Sequence, residues 1–198
     1  STHIIITLGT SWVYRLKESG LAVANCHKVP KHKFRKELLS IAEIIESLAV
    51  IISLIKEINP TINFIFTVSP VRHIKDGFIE NQQSKAHLIS ALHQIIKFHE
   101  NSFYFPSYEI MMDELRDYRF YKEDMIHPNN IAVNYIWEKL SKKWFSDETL
   151  QTTEQIEKIQ KNLDHKPFNS ESLLHEKFIK STEQKIKKLQ EKLPHIFF

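Results

Sequence analysis

Two short segments are apolar at nearly every position: Ile4-Ile5-Ile6-Thr7-Leu8 and Ile62-Asn63-Phe64-Ile65-Phe66-Thr67-Val68. A strand with one wet face alternates apolar and polar residues, whereas runs like these belong to strands covered on both faces. Between them, Ser40-Ile41-Ala42-Glu43 has the form of a capping box. It opens a helix that runs to about Ile58, where Asn59-Pro60 stops it. A second helix is expected from Ile79 to His99, then a short strand at Phe103-Tyr104-Phe105 and a helical stretch over Tyr108–Leu115. Strands that alternate with helices imply β-α-β units, a mostly parallel sheet and a three-layer α/β sandwich. Trp12–Leu16 and Leu21–Cys26, around Lys17-Glu18-Ser19-Gly20, read as a β-hairpin.

From Ser146 the chain turns to Glu, Lys and Gln, with apolar residues at helical spacing: Ile156, Ile159 and Leu163, then Ile186, Leu189 and Leu193. Two helices fit, separated at Pro167. The expected organisation is an α/β domain over 1–148 and a helical hairpin extension over 149–198. The net charge of +3 arises from interleaved acids and bases, which gives no nucleic-acid footprint. The longest apolar run, Ala49–Ile55, contains Ser53 and is too short to span a bilayer. One cysteine, Cys26, excludes an internal disulfide framework and fits a reducing, cytoplasmic setting; it reads as a buried small residue. No glycine loop for phosphate and no zinc-spaced cysteine pair is present, so neither a cofactor nor a metal is expected. A core strand at residues 4–8 and only three glycines lead to the expectation that a strand and a turn precede this chain, leaving a sheet edge uncovered.

The densest chemistry is Asp124-Met125-Ile126-His127-Pro128, between a polar loop and a helix expected from Asn129 to Phe145 with Ile131, Tyr135, Ile136, Leu140 and Trp144 on its apolar side. An Asp and a His three apart at a loop-to-helix junction can fold together, the carboxylate orienting an imidazole that acts as general base. Equally, Asp124 can simply cap the helix and His127 simply pack, with Pro128 in the first helical position. Other candidates gather at the carboxyl ends of the strands, where open parallel sheets place their chemistry: Gly9 and Ser11, Arg72 and His73, and Glu109. Arg72 and His73 either contact a substrate anion or acyl oxygen or belong to a solvated loop. Glu109 is either a buried hydrogen-bonding acid or an ordinary first-turn residue. Ser11 makes a poor nucleophile because a hairpin, not a helix, follows it. Ser84-Lys85 reads as structural, since adjacent helical residues do not face each other.

Thr7 to Tyr14, Val23 to Pro30, Phe66 to His73, Tyr104 to Glu109 and Asp124 to Pro128 together resemble the GSCFA domain family, in the form found in Bacteroidetes-type bacteria. The resemblance covers nearly the whole chain, including His165-Lys166-Pro167-Phe168. That family is similar in turn to the SGNH (GDSL-like) hydrolases. The resemblance implies an ester hydrolase or acyl transferase in which Asp124 and His127 are two members of a Ser-His-Asp triad. The serine would lie in an upstream Gly-Ser-Cys-Phe-Ala signature that this chain lacks. Gly9-Thr10-Ser11-Trp12 stands where the superfamily has Gly-x-Asn-Asp, so Ser11 replaces the oxyanion Asn; Asn25 is a further binding candidate. The implied partner is a small-molecule or glycan ester substrate, with self-association through the terminal helices or the uncovered sheet edge. The alternative is a non-catalytic binding module on a hydrolase-like scaffold.

Overall fold

The computed structural model describes residues 1–198 apart from Asn25, His27 and residues 168–171. The chain forms two compact units, Ser1–Trp137 and Glu138–Phe198.

In the first unit, strands β1 (His3–Leu8), β5 (Asn63–Val68) and β6 (Ser102–Phe105) form a parallel sheet in the order β1-β5-β6. The register pairs Leu8 with Val68 and Thr67 with Phe105. The three carboxyl ends therefore stop level with one another, and the loops after them are neighbours. Helices α1 (Ile41–Ile58) and α2 (Phe78–Phe98) cover one face. There Phe64, Phe66 and Val68 pack with Ile44, Leu48 and Ile52 of α1 and with Leu88, Leu92 and Ile95 of α2. Ile65 and Thr67 point the other way and are also buried, which is why the sequence of β5 does not alternate. Ile5 shares their face on the edge strand β1 and is 46% exposed.

The capping box is formed in full. Glu43 N donates to Ser40 Oγ at 3.3 Å, and Ser40 N donates back to Glu43 Oε2 at 2.8 Å. After β6 the chain makes one α turn, α3 (Ser107–Glu109), widening to a π turn over Ile110–Glu114.

The hairpin is present in shorter form. Strand β2 (Trp12–Leu16) pairs with only two residues of β3 (Ala22–Val23), not with a strand reaching Cys26. Cys26 is half-buried rather than buried. The other flank of β2 is occupied by β4 (Phe34–Leu38), in a register that sets Trp12 opposite Leu38. The sequence conceals β4 because Phe34-Arg35-Lys36-Glu37-Leu38 has apolar residues only at its ends. The strand is held by its ladder with β2, by burial of Phe34 and by the ion pair of Glu37 with Arg15 across the two strands.

Helix α4 (Asn130–Trp144) runs across the boundary between the units. Of the expected apolar side, Leu140 is buried and Tyr135, Ile136 and Trp144 are half-buried, but Ile131 is exposed and its neighbour Ala132 is buried. The second unit contains α5 (Asp147–Leu163) and α6 (Leu173–Lys192). Contacts of Asn162 with Thr182 (3.1 Å) and of the His165 ring with Phe178 (5.6 Å between centroids) make the two helices antiparallel. Ile159 and Leu189 are buried. No helix among the described residues is long and apolar enough to cross a membrane.

Ile52 and Val50 sit two residues apart on α1, the first buried and the second exposed. Ile52→Ala is expected to cost about 2–5 kcal/mol of unfolding free energy. Val50→Ala is expected to change it by less than about 0.5 kcal/mol. Urea denaturation of the two variants checks both; equal losses would mean that the α1–sheet packing described here is wrong.

Candidate functional site

The loops after β1 and β5 are held by the first half of α2. Lys85 is 1% exposed. Its ammonium donates to Gly9 O at 2.7 Å and to Ser69 O at 2.6 Å, joining the ends of β1 and β5. One residue earlier, Ser84 Oγ accepts from Ser11 N at 2.8 Å and lies 3.0 Å from Thr10 Oγ1. Asn81 Oδ1 accepts from His73 N at 2.8 Å. On the β5–β6 side, Thr67 Oγ1 meets Ser107 Oγ at 2.6 Å, and Ser107 Oγ donates to Val68 O at 2.7 Å. Burial lowers the Lys85 pKa to about 8, because a charged group loses its hydration there.

The sequence carries a signal for Lys85 that the reading of Ser84-Lys85 did not exploit. Positions 81, 84, 85, 88, 92 and 95 form one helical stripe, and the last three are core residues. A lysine on the apolar stripe of a helix must be buried and must find acceptors. Ser84 and Lys85 are neighbours on that stripe; both engage the loop after β1, and Lys85 engages the loop after β5 as well.

The Asp124–His127 segment is a turn closed on itself. Asp124 Oδ1 accepts from Ile126 N at 2.9 Å and from His127 N at 3.0 Å. Its Oδ2 lies 2.7 Å from His127 Nδ1. The turn places Met125 in the left-handed region at φ 57°, sparsely occupied by residues other than glycine. The helix cap falls to Asn129, whose Oδ1 accepts from Ala132 N at 3.1 Å. Pro128 is not in the first helical turn but precedes that cap and bridges to Tyr121. The Asp124 carboxylate is thus committed to its own turn and to the imidazole. Three hydrogen bonds hold its pKa at about 2, the His127 backbone N–H contributing most, then the His127 ring and the Ile126 N–H. An ionised carboxylate can only accept, so Nδ1 carries the proton and Nε2 is the basic nitrogen.

Arg72 locks this turn to the β5 loop. Its N–H donates to Ile126 O at 3.3 Å and its Nη1 to Met125 O at 3.2 Å. Its guanidinium lies 4.5 Å from the Tyr121 ring centroid. The outcome is a cleft of about 360 Å³ lined by His127, His73, Arg72, Thr10, Trp12 and the Lys36–Asp76 ion pair, among others. The side chains of His127 and Asp124 are 52% and 42% exposed. Burial first, then the charge of Lys85, lowers the pKa of His73, against the pull of Asp76. His73 is therefore neutral at pH 7.

Gly9, Ser11 and Glu109 are not among the residues that line this cleft. A Cβ on Gly9 would stand 3.2 Å from His73 Nε2, so the glycine allows that imidazole its place. Ser11 is buried, with its amide and hydroxyl both turned to Ser84. Glu109 accepts from Tyr104 Oη at 2.8 Å and 2.9 Å, and burial, reinforced by that carboxylate, raises the phenol's pKa. Asn25 lies outside the described residues. No group of three or more metal-ligating side chains occurs among the described residues.

These features define a parallel α/β domain with an acid-oriented imidazole at a strand-end cleft. The chain belongs to the GSCFA family: the family's profile matches residues 1–140, and that of the GSCFA domain protein C-terminal domain matches residues 156–198. Neither the curated proteins nor the solved structures gave a match.

Two outcomes follow from this geometry. Lys85→Met removes donors from two carbonyls and is expected to cost about 2–4 kcal/mol, within the range for stranded buried acceptors. A variant as stable as the parent in urea would show that Lys85 is no tie between the strands. By carbon-detected NMR, Asp124 is expected to titrate at about 2 and to move toward the ordinary value of about 4 in His127→Gln. Because the folded-state value is the lower one, the turn's stabilisation is complete above about pH 4 and lost as pH falls through the folded value. An unchanged Asp124 titration in the variant would remove the ring from the causes.

Proposed function

We propose that this chain provides the Asp–His half of an SGNH-like ester hydrolase or acyl transferase, acting on a small-molecule or glycan ester. The observation that carries the reading is the state of His127. Its Nδ1 is held by an ionised Asp124 at 2.7 Å, while Nε2 has no hydrogen-bond partner among the described residues and the ring lines the cleft. This is the disposition a general base needs. His127 Nε2 takes the proton of a hydroxyl nucleophile as its oxygen attacks the ester carbonyl carbon. Asp124 fixes the tautomer and stabilises the imidazolium. The same proton then passes to the departing alkoxide. In the second half, water attacks the acyl-enzyme and restores the hydroxyl, or an acceptor alcohol takes the acyl group. Arg72 and neutral His73, on the cleft wall, contact the substrate. Gly9 gives His73 its room, and Ser11 is tied to Ser84 beside Thr10 of the wall; Glu109 holds Tyr104 and has no part in the cleft.

The nucleophile is proposed to come from outside residues 1–198. Among the described residues that line the cleft, the one aliphatic hydroxyl is that of Thr10. It is already engaged by Ser84 Oγ and by Trp12 N at 3.2 Å. The same fact is what favours the second reading, a binding module that keeps the scaffold without turnover.

Residues 1–198 alone are expected to leave a short-chain nitrophenyl ester unhydrolysed. The chain joined to an upstream Gly-Ser-Cys-Phe-Ala segment is expected to hydrolyse it, and His127→Ala to lower kcat about 10²–10⁴-fold. Activity of the joined chain that survives His127→Ala refutes the general-base role. Activity of residues 1–198 that disappears with Ser11→Ala would make Ser11 the nucleophile.

A further inference from the structure

Behind the Pro70–Ile74 segment lies a second pocket, of about 190 Å³, whose wall includes Lys85, Arg72, Tyr108, Val71, Phe78 and Met112. Two of its lining residues are cationic and none is acidic. Lys85 reaches it from a buried position and has no carboxylate partner among the described residues; two of its three N–H groups go to Gly9 O and Ser69 O. Arg72 is likewise satisfied by a carbonyl and by aromatic faces, not by an acid. A buried cation held only by neutral dipoles favours any anion that reaches it. The rest of the wall is mixed, apolar at Val71, Ile74, Phe78 and Met112 and polar at Asn81 and Gln82.

We propose that this pocket binds a small organic monocarboxylate, its carboxylate beside Lys85 and Arg72 and its hydrocarbon end against Met112 and Phe78. The N–H left on Lys85, the Arg72 guanidinium and the apolar residues fit one charge with a short apolar tail. Inorganic phosphate would meet the cations but leave the apolar residues uncovered. Arg72 lines both this pocket and the cleft, but Lys85, Met112 and Phe78 line the pocket and not the cleft, so the proposal does not depend on the ester-hydrolase reading.

The test uses residues 1–198, the chain whose fold is described here, with butyrate as probe and 1-butanol and inorganic phosphate as controls. Butyrate is expected to move the Lys85 ¹³Cε and Met112 ¹³Cε resonances together, saturably and with one dissociation constant. Butanol and phosphate are expected to bind at least tenfold more weakly. Lys85→Met, if folded, is expected to lose at least tenfold in butyrate affinity; the parent-chain titration decides the matter if it is not. Equal binding of butanol would show an apolar pocket without an anion site and overturn the proposal. So would equal binding of phosphate, or butyrate shifts that leave Lys85 or Met112 unmoved.

Discussion

The first unit is organised around a buried ammonium. Lys85 donates to Gly9 O and Ser69 O, the acceptors just past the ends of two adjacent parallel strands. Parallel sheets bring their chemistry to that edge, but strand ends by themselves leave carbonyls unpaired and loops free to diverge. A short side chain could not reach both acceptors, and a carboxylate would repel them. Lysine has the length and the donors, and in return its charge is carried by neutral dipoles. The neighbouring polar residues of the same helical stripe complete the arrangement: Ser84 holds the loop after β1 and Asn81 the loop after β5. The positions of His73, and through the β5 loop of Arg72 and the Asp124 turn, follow from one helix face.

Much of the fold was legible in the sequence. The apolar runs of β1 and β5, the capping box of Ser40 and the paired terminal helices depend on local pattern, and local pattern is what a sequence displays. Strand β4 was not legible, because its three middle residues are charged and the backbone ladder with β2 that defines it leaves no local pattern. On α4 the helical spacing identified Tyr135, Ile136, Leu140 and Trp144, and only its first residue departs: Ile131 looks like a core residue and Ala132 like filler, yet Ile131 is exposed and Ala132 buried.

The site shows the same division. The spacing of Asp124 and His127 left two readings open, orientation of the ring or capping of α4. The structure separates them because Asn129 caps the helix, which could be argued from sequence only by knowing where the helix begins. The sequence leaves Arg72 between a substrate contact and a solvated loop, and the structure gives it the join between two loops. Lys85 was the residue underrated most. Its register on the apolar stripe was visible, but its acceptors are backbone carbonyls remote in sequence, and no side-chain motif marks them.

The anchoring of two loops by one helix face bears on how the molecule breathes. The amides of Ser11 and His73 both end on side chains of α2, on Ser84 and Asn81. Neither can be freed for solvent exchange without disturbing that helix or its rotamers. The first two turns of α2 and the two loops therefore form one cooperative opening unit. Fraying of α2 from its Gly77 end would disorder the cleft before any strand parts, so the shape of the site is no more durable than the first half of a single helix.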